Sequence, residues 1–426
     1  MYKVLVIAYY FPPMGLSGAQ RTLKFVKYMP KYNWEPTVVT AGNTNFFAND
    51  TSLLKEAEEC NVKIVRVDGK EVNSLFSKYG TITIPKEFIK NVLSKISKAV
   101  FIPDNRNEWA QSAYLKAKEL IQREKFDAIY VSIPPYSSFI TAAKLKKEFD
   151  LPLFVDYRDL WFKNQFSFYP TPYHRYKHKK LEYTSLRAAE KVVTVNRKIK
   201  ENILTRYGFL NFEDVIIVPN GFDRDDFARL EPLPRSDKKL WLTYSGAFYE
   251  NVTPKFMLQA FKKLSIERPD IAQNIELHFI GPIGKSNKKL VTKLGLNDFI
   301  REYGFVNHDE ALRKVISSDI LWMMVGRSIN DDTVSTGKLF EYIGAKKPIL
   351  GCVPEGAAMN TLREYGASYI VKPDDIDEIK MALIKIHDQF KNKNLPKPNE
   401  DFVYKHDREA LTEQLVKQFQ FYLRDI

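Results

Sequence analysis

Short apolar runs that alternate with longer segments of helical period constrain this chain more than any other feature. The runs fall at 3–10, 36–41, 62–67, 126–133, 151–157 and 191–195, and again at 215–218, 240–245, 275–280, 319–325, 348–352 and 368–371. Segments such as 19–29, 108–123, 137–149, 254–264, 308–317, 338–345 and 376–389 place apolar residues three and four apart. A strand apolar on both faces must be covered on both faces, and a helix between two such strands joins them in parallel. The pattern predicts an α/β protein with two doubly wound parallel-sheet domains in series. At 426 residues the chain also exceeds what one core usually serves. Pro232 and Pro234 among many charges mark 222–239 as a linker. This gives an N-terminal domain over 1–212, a C-terminal domain over 213–405 and a last helix over 406–426. The stripe of Leu411, Leu415, Phe419 and Tyr422 on that helix requires a partner, on its own domain or on the first.

Hydrophobic residues make up 44% and charged residues 27%, the balance of a folded globular chain and not of a disordered or coiled-coil one. The longest apolar runs, 4–11 and 320–325, are too short to cross a bilayer, which takes about 20 residues. Pro12-Pro13 directly after the first run argues for a buried strand over a signal peptide. Two cysteines, Cys60 and Cys352, suit a reducing cytoplasm and exclude a disulfide framework or a cysteine-rich zinc site. The net charge is +13, and all of the excess lies in the first half. Residues 1–210 hold 34 Lys and Arg against 20 Asp and Glu, whereas 211–426 hold 31 against 32. Such asymmetry points to an anionic partner, nucleic acid or an anionic membrane face, or else to a Lys-rich solvated surface.

Ligands of open α/β sheets bind beyond the carboxyl ends of the strands, so the loops there carry the candidate chemistry. The first, from Phe11 to Arg21, holds Gly15 and Gly18. Glycines let backbone N–H groups approach a phosphate, and a helix starting near Gly18 adds its positive end; otherwise the loop only turns the chain. Neither a Gly-Lys-Ser/Thr ending nor a G-x-G-x-x-G spacing is present. The second loop places Asp156, Arg158 and Asp159 directly after an apolar strand. These are an acid and a base at a site, or a structural pair in which Arg158 bridges Asp156 or Asp159. In the third, Thr336 is an N-cap, Gly337 leaves the helix start uncrowded, and Lys338 and Glu341 share one helix face. A cation and a carboxylate at a helix start can hold a phosphate and a pair of sugar hydroxyls, or form an ordinary surface pair. No metal is expected. Asp223-Arg224-Asp225 and Asp375-Ile376-Asp377 match D-x-D but sit where a turn and a helix need caps, and His174 and His178 read as one face of a charged helix.

These loops and their neighbours resemble the GT-B glycosyltransferases, specifically the retaining family 4, over nearly the whole chain. The resemblance rests on Tyr9-Tyr10-Phe11-Pro12-Pro13 with Gly15 and Gly18, Ile102-Pro103-Asp104 with Trp109, Ser132-Ile133-Pro134-Pro135, and Asp156 through Trp161. It continues in Val218-Pro219-Asn220-Gly221-Phe222-Asp223, Tyr244-Ser245-Gly246, Phe279-Ile280-Gly281, Tyr303-Gly304-Phe305-Val306, and Lys338 through Glu341 with Lys347-Pro348-Ile349-Leu350. It implies two Rossmann-like domains facing a cleft, the second binding a nucleotide-diphosphate sugar of UDP or GDP type. Glu341 matches the last Glu of the family's E-x7-E pattern and would hold the ribose hydroxyls. Gly15 and Gly18 would lie by the diphosphate and the reacting sugar, Val306 by the base, and Asp156 near a sugar-contacting position. Gly246, Thr336, Gly337 and Lys338 complete the donor set.

Two departures stand out. The first Glu of E-x7-E falls on Thr333, and the usual diphosphate-neutralising Arg and Lys align with Ala247 and Val252. Another cation must serve, with Lys338 and Arg158 ahead of Lys255. The resemblance implies sugar transfer with retention of configuration, no metal and no cofactor beyond the donor. The acceptor would be a polysaccharide or a lipid-linked glycan. An anionic membrane contact on the cytoplasmic face is expected at 85–101, where Phe88, Ile89, Val92, Leu93, Ile96, Val100 and Phe101 form a stripe flanked by lysines, and at 175–180. No nucleic-acid module is visible. A sugar-nucleotide epimerase of the same fold and a non-catalytic, sugar-nucleotide-binding subunit are the alternatives.

Overall fold

The computed structural model describes all residues except 16, 43–48, 61, 70–96, 165–166, 236–237, 249–250 and 425–426. The chain forms two compact units, Met1–Pro219 with Leu411–Ile426, and Asn220–Ala410.

The first unit is built on β1 (Tyr2–Ala8), β2 (Trp34–Ala41), β3 (Lys63–Val67), β4 (Ala128–Ile133), β5 (Leu153–Tyr157), β6 (Lys191–Thr194) and β7 (Val215–Ile217). All pair in parallel in the order β3-β2-β1-β4-β5-β6-β7. Side chains of β1 alternate between two cores, as the two-residue period of a strand demands. Leu5 and Ile7 join Trp109, Ala113 and Leu145 on one face, and Val4, Val6 and Ala8 join Leu23, Val26 and Trp34 on the other. The second face is completed from the far end of the chain. Leu411, Leu415 and Phe419 of the Arg408–Arg424 helix are buried there, with Phe419 stacked on Phe154 at 4.1 Å.

β7 corrects the expected strand assignment. Residues 215–218 read as the opening strand of the second half, but Val215 pairs with Val192 of β6 and extends the first sheet. An apolar run shows that a strand is buried, not which neighbour it takes. The 222–239 stretch likewise belongs to the second unit and is no free linker. It contains the short Arg224–Ala228 helix, and Arg235 is paired to Asp319 at 2.8 Å.

The second unit is built on β8 (Leu240–Ser245), β9 (Ile275–Ile280), β10 (Ile300–Gly304), β11 (Ile320–Met324), β12 (Ile349–Cys352) and β13 (Ser368–Val371). All are parallel, in the order β10-β9-β8-β11-β12-β13. β10 was absent from the expected strands. It is an edge strand whose Arg301 and Glu302 are exposed, so it lacks the apolar run that marks its neighbours. In both sheets the winding direction reverses beside the first strand, between β1 and β4 and between β8 and β11. Loops diverge at such a switch point and leave room for a ligand. Among the described residues, no helix is long and apolar enough to cross a membrane.

Candidate functional site

In the second unit, the strand ends beside the switch point are made of close backbone. Gly246 follows β8 with φ +131°, and its N–H donates to the Ile280 carbonyl at 2.7 Å. Gly281 follows β9 with φ +116°, and its N–H donates to the Gly304 carbonyl at 2.7 Å. A Cβ on Gly281 would lie 2.6 Å from the Gly246 carbonyl oxygen. Only glycine takes these angles freely at this spacing.

The Gly337–Gly344 helix is fastened to this rim. The Ser245 N–H donates to the Tyr342 hydroxyl at 2.7 Å, and burial pushes that phenol's pKa well above 10. Asn220 Nδ2 donates to the Ser335 carbonyl at 3.2 Å, just ahead of the helix. Thr336 is the N-cap, yet its buried Oγ1 has no hydrogen-bond partner among the described residues. Lys338, half-buried in the first turn, lays its Nζ 3.8 Å from the centre of the Tyr244 ring, and a Cβ on Gly246 would come within 2.7 Å of it. Among the described residues the ammonium has no hydrogen-bond or ion-pair partner. Burial lowers its pKa from 10.5 to about 7, and the field of Glu341 pulls it back up. Glu341, one turn along, is half-buried, and among the described residues its carboxylate has no hydrogen bond. The structure thus brings together Gly246, Thr336, Gly337, Lys338 and Glu341. Tyr244, quoted in the sequence only as part of the resemblance, and Tyr342 position them, and neither was expected at the site; aromatic residues inside apolar runs carry no signal beyond core.

Val306, two residues past Gly304, is half-buried in a core, and Phe305 beside it is exposed. Lys255 is exposed at the start of the Lys255–Glu267 helix, with its Nζ 5.2 Å from the Phe256 ring. Thr333, at the missing Glu, turns its hydroxyl to the Asn330 carbonyl at 2.8 Å.

In the first unit, Asp156 at the end of β5 is fully buried. Arg21, equally buried, donates to both of its oxygens, from Nε at 3.0 and 3.1 Å and from Nη2 at 2.8 Å. The same guanidinium donates to the carbonyls of Val218 and Pro219 at 2.9 and 2.7 Å. Asp156 is therefore the counter-ion of a fully buried arginine. Arg21 was missed, because an arginine inside a helix 135 residues away gives no sequence sign of its partner.

Arg158 bridges neither aspartate. It donates to the Ile133 and Pro134 carbonyls at 3.1 and 2.8 Å, while its Nη1 lies where a Cβ on Gly18 would be. Gly18 is buried in the first turn of the Ser17–Tyr28 helix, so a cation and a helix N-terminus meet there. Gly15 is half-buried in the preceding loop.

The family model described as Glycosyltransferase Family 4 matches residues 18–226, and that described as Glycosyl transferases group 1 matches 226–399. The chain belongs to the GT-B glycosyltransferases. No curated protein matches it. Similar solved structures include a sucrose-phosphate synthase from Thermosynechococcus elongatus, at 12% identity and a TM-score of 0.67, with 100% of each chain covered. WaaG, a glycosyltransferase involved in lipopolysaccharide biosynthesis, shares 13% identity over 97% of this chain and 98% of its own, at a TM-score of 0.57. A UDP-GlcNAc 2-epimerase from Methanocaldococcus jannaschii shares 14% identity over 98% and 99%, also at 0.57. At such identities the likeness speaks for the fold.

The acidic pairs of the glycosyltransferase act as caps. Asp223 accepts from the Asp225 N–H, and Asp375 accepts from the N–H groups of Asp377 and Glu378. His178 Nδ1 accepts from Trp161 Nε1 at 3.0 Å, and His174 Nε2 lies 2.9 Å from the Ala99 carbonyl. Of the expected membrane contacts, 85–96 lie outside the described residues, and 175–180 lie on the Pro172–Leu186 helix.

Proposed function

We propose that this glycosyltransferase moves a sugar from a nucleotide-diphosphate donor to a polysaccharide or lipid-linked glycan, with retention of configuration and with protein cations in place of a metal. One observation carries the proposal: among the described residues, a half-buried lysine ammonium has no hydrogen-bond or ion-pair partner, and two residues before it the buried hydroxyl of the N-cap threonine has no hydrogen-bond partner. A buried cation is costly unless something pairs it, and here the missing anion is supplied by the donor diphosphate. Lys338, the Thr336 hydroxyl and the positive end of the Gly337–Gly344 helix meet the charge that grows on the departing diphosphate. Glu341 accepts from the ribose hydroxyls. Arg158 and the Ser17–Tyr28 helix start supply a second positive site in the first unit. As the bond from the anomeric carbon to the diphosphate oxygen breaks, the acceptor oxygen attacks the same face and its proton passes to the leaving oxygen. The +14 balance of the first half supports an acceptor presented at an anionic membrane face.

The test is a thermal-shift series with UDP- and GDP-sugars, since a ligand that binds only the native state raises its melting temperature. A rise with one donor, lost in Lys338→Ala, is expected; no rise with any nucleotide sugar overturns the proposal. Product analysis without acceptor separates transfer from epimerisation, which needs none.

A further inference from the structure

We propose that the outward face of the Pro172–Leu186 helix, with the groove beside it, is a binding site for anionic phospholipid at a bilayer surface. The helix buries His178, Glu182, Ser185 and Leu186. Its opposite face carries Tyr173, Tyr176, Lys180 and Tyr183, and Arg187 just past its end continues the line. The spacing of three, four, three and four residues makes one stripe along the helix. The three tyrosines are 58%, 59% and 41% exposed, so this is no core face. Lys177 and Lys180 lie 5.5 and 5.9 Å from the rings of Tyr173 and Tyr176, which interleaves cations with aromatics.

At its Arg187 end the stripe borders an open groove of about 460 Å³ between this helix and the Ser137–Phe149 helix. Ile140, Ala143, Leu181 and Ala188 line it with aliphatic surface, and Lys144 and Lys147 stand at its rim. Tyrosine is suited to the membrane–water interface because its ring is apolar and its hydroxyl polar. Lysine and arginine near an anionic leaflet each strengthen binding about fivefold. An aliphatic groove under a cationic rim fits an acyl chain below its phosphate. Single-stranded nucleic acid would use the rings and cations but not that groove.

The site gives the membrane-borne acceptor proposed above a place to be met, and its test needs no sugar. The full chain is floated with phosphatidylcholine vesicles with and without phosphatidylglycerol. The expected result is flotation only with the anionic vesicles, reversed by high salt. Lys180→Gln with Arg187→Gln weakens it about 30-fold, and Tyr173→Ser with Tyr176→Ser weakens it further. These residues are exposed, Arg187 lying over the Phe209 ring at 5.3 Å, so the variants still fold, and transfer to a soluble acceptor stays unchanged. Equal flotation with neutral vesicles, a Lys180→Gln/Arg187→Gln variant that floats like the parent, or binding of an oligonucleotide in place of vesicles overturns the site. Those outcomes leave donor binding untouched, and a failed donor screen leaves the vesicle result standing.

Discussion

Two cations ride on helices that follow strand ends, one in each sheet, and the protein treats them in opposite ways. Arg21 is fully buried, and its guanidinium meets both oxygens of Asp156 and the carbonyls of Val218 and Pro219. Lys338 is half-buried over the Tyr244 ring and, among the described residues, has no hydrogen bond or ion pair, only that ring and the field of Glu341 in its favour. A buried charge has to be paired by something. Where the protein supplies the partner, the cation holds the fold together. Where it does not, as at Lys338, the proposed donor diphosphate would supply the partner. The sequence suggested the reverse ranking for the first unit, with Asp156 as a reacting group, because a charge at a strand end looks the same whether or not a partner waits for it.

The contrast breaks most sharply at Asp156. Asp156→Ala leaves Arg21 buried and uncompensated and should cost about 3–5 kcal/mol in urea unfolding, most of it recovered by Arg21→Met with Asp156→Leu. A loss below about 1 kcal/mol would remove the architectural role. At Lys338 the expected loss is in turnover and not in stability. Lys338→Ala should lower kcat/KM about 100-fold, while the ligand-free protein melts no earlier.

The pH dependence sharpens the point. Lys338 titrates near 7 in the folded protein and near 10.5 when unfolded, so between these values the unfolded chain holds more protons. Stability from this group therefore grows as pH rises from about 7 to 10.5 and is lost below, a slope that Lys338→Met abolishes. Donor binding runs the other way, because it needs the ammonium. Above pH 7, affinity measured by calorimetry should fall by about tenfold per unit until the bound-state pKa is reached. Lys338→Arg, which stays charged, should flatten the curve. The smallest effect is expected at Glu341. Glu341→Gln should weaken donor binding about tenfold and move the midpoint to lower pH, since the carboxylate that raises the Lys338 pKa is gone. An unmoved midpoint would mean that Glu341 does not act on Lys338.

The second-unit site was more legible than the first for a local reason. Thr336, Gly337, Lys338 and Glu341 lie within six residues of one another, so helix-start chemistry and the i,i+3 rule bring them together without tertiary information. The first-unit arrangement joins residues 21, 156 and 218, and no local rule spans such separations. The expected membrane contact divides in the same way. The helical spacing of Tyr173, Tyr176 and Lys180 is visible in the chain, but the groove beside them exists only because the Ser137–Phe149 helix packs alongside.

By itself the sequence determined the class of fold, the positions of most strands and the helix start that carries Lys338. These follow from hydrophobic period, capping and turn chemistry, which act over a few residues. Only the tertiary structure decided that β7 closes the first sheet, that the Arg408–Arg424 helix returns to that sheet, and that Arg21 and not solvent takes the charge of Asp156. Each of those outcomes is a choice among partners equally apolar or equally charged. Such a choice is made by how surfaces fit and which charges are left over once the sheets are assembled.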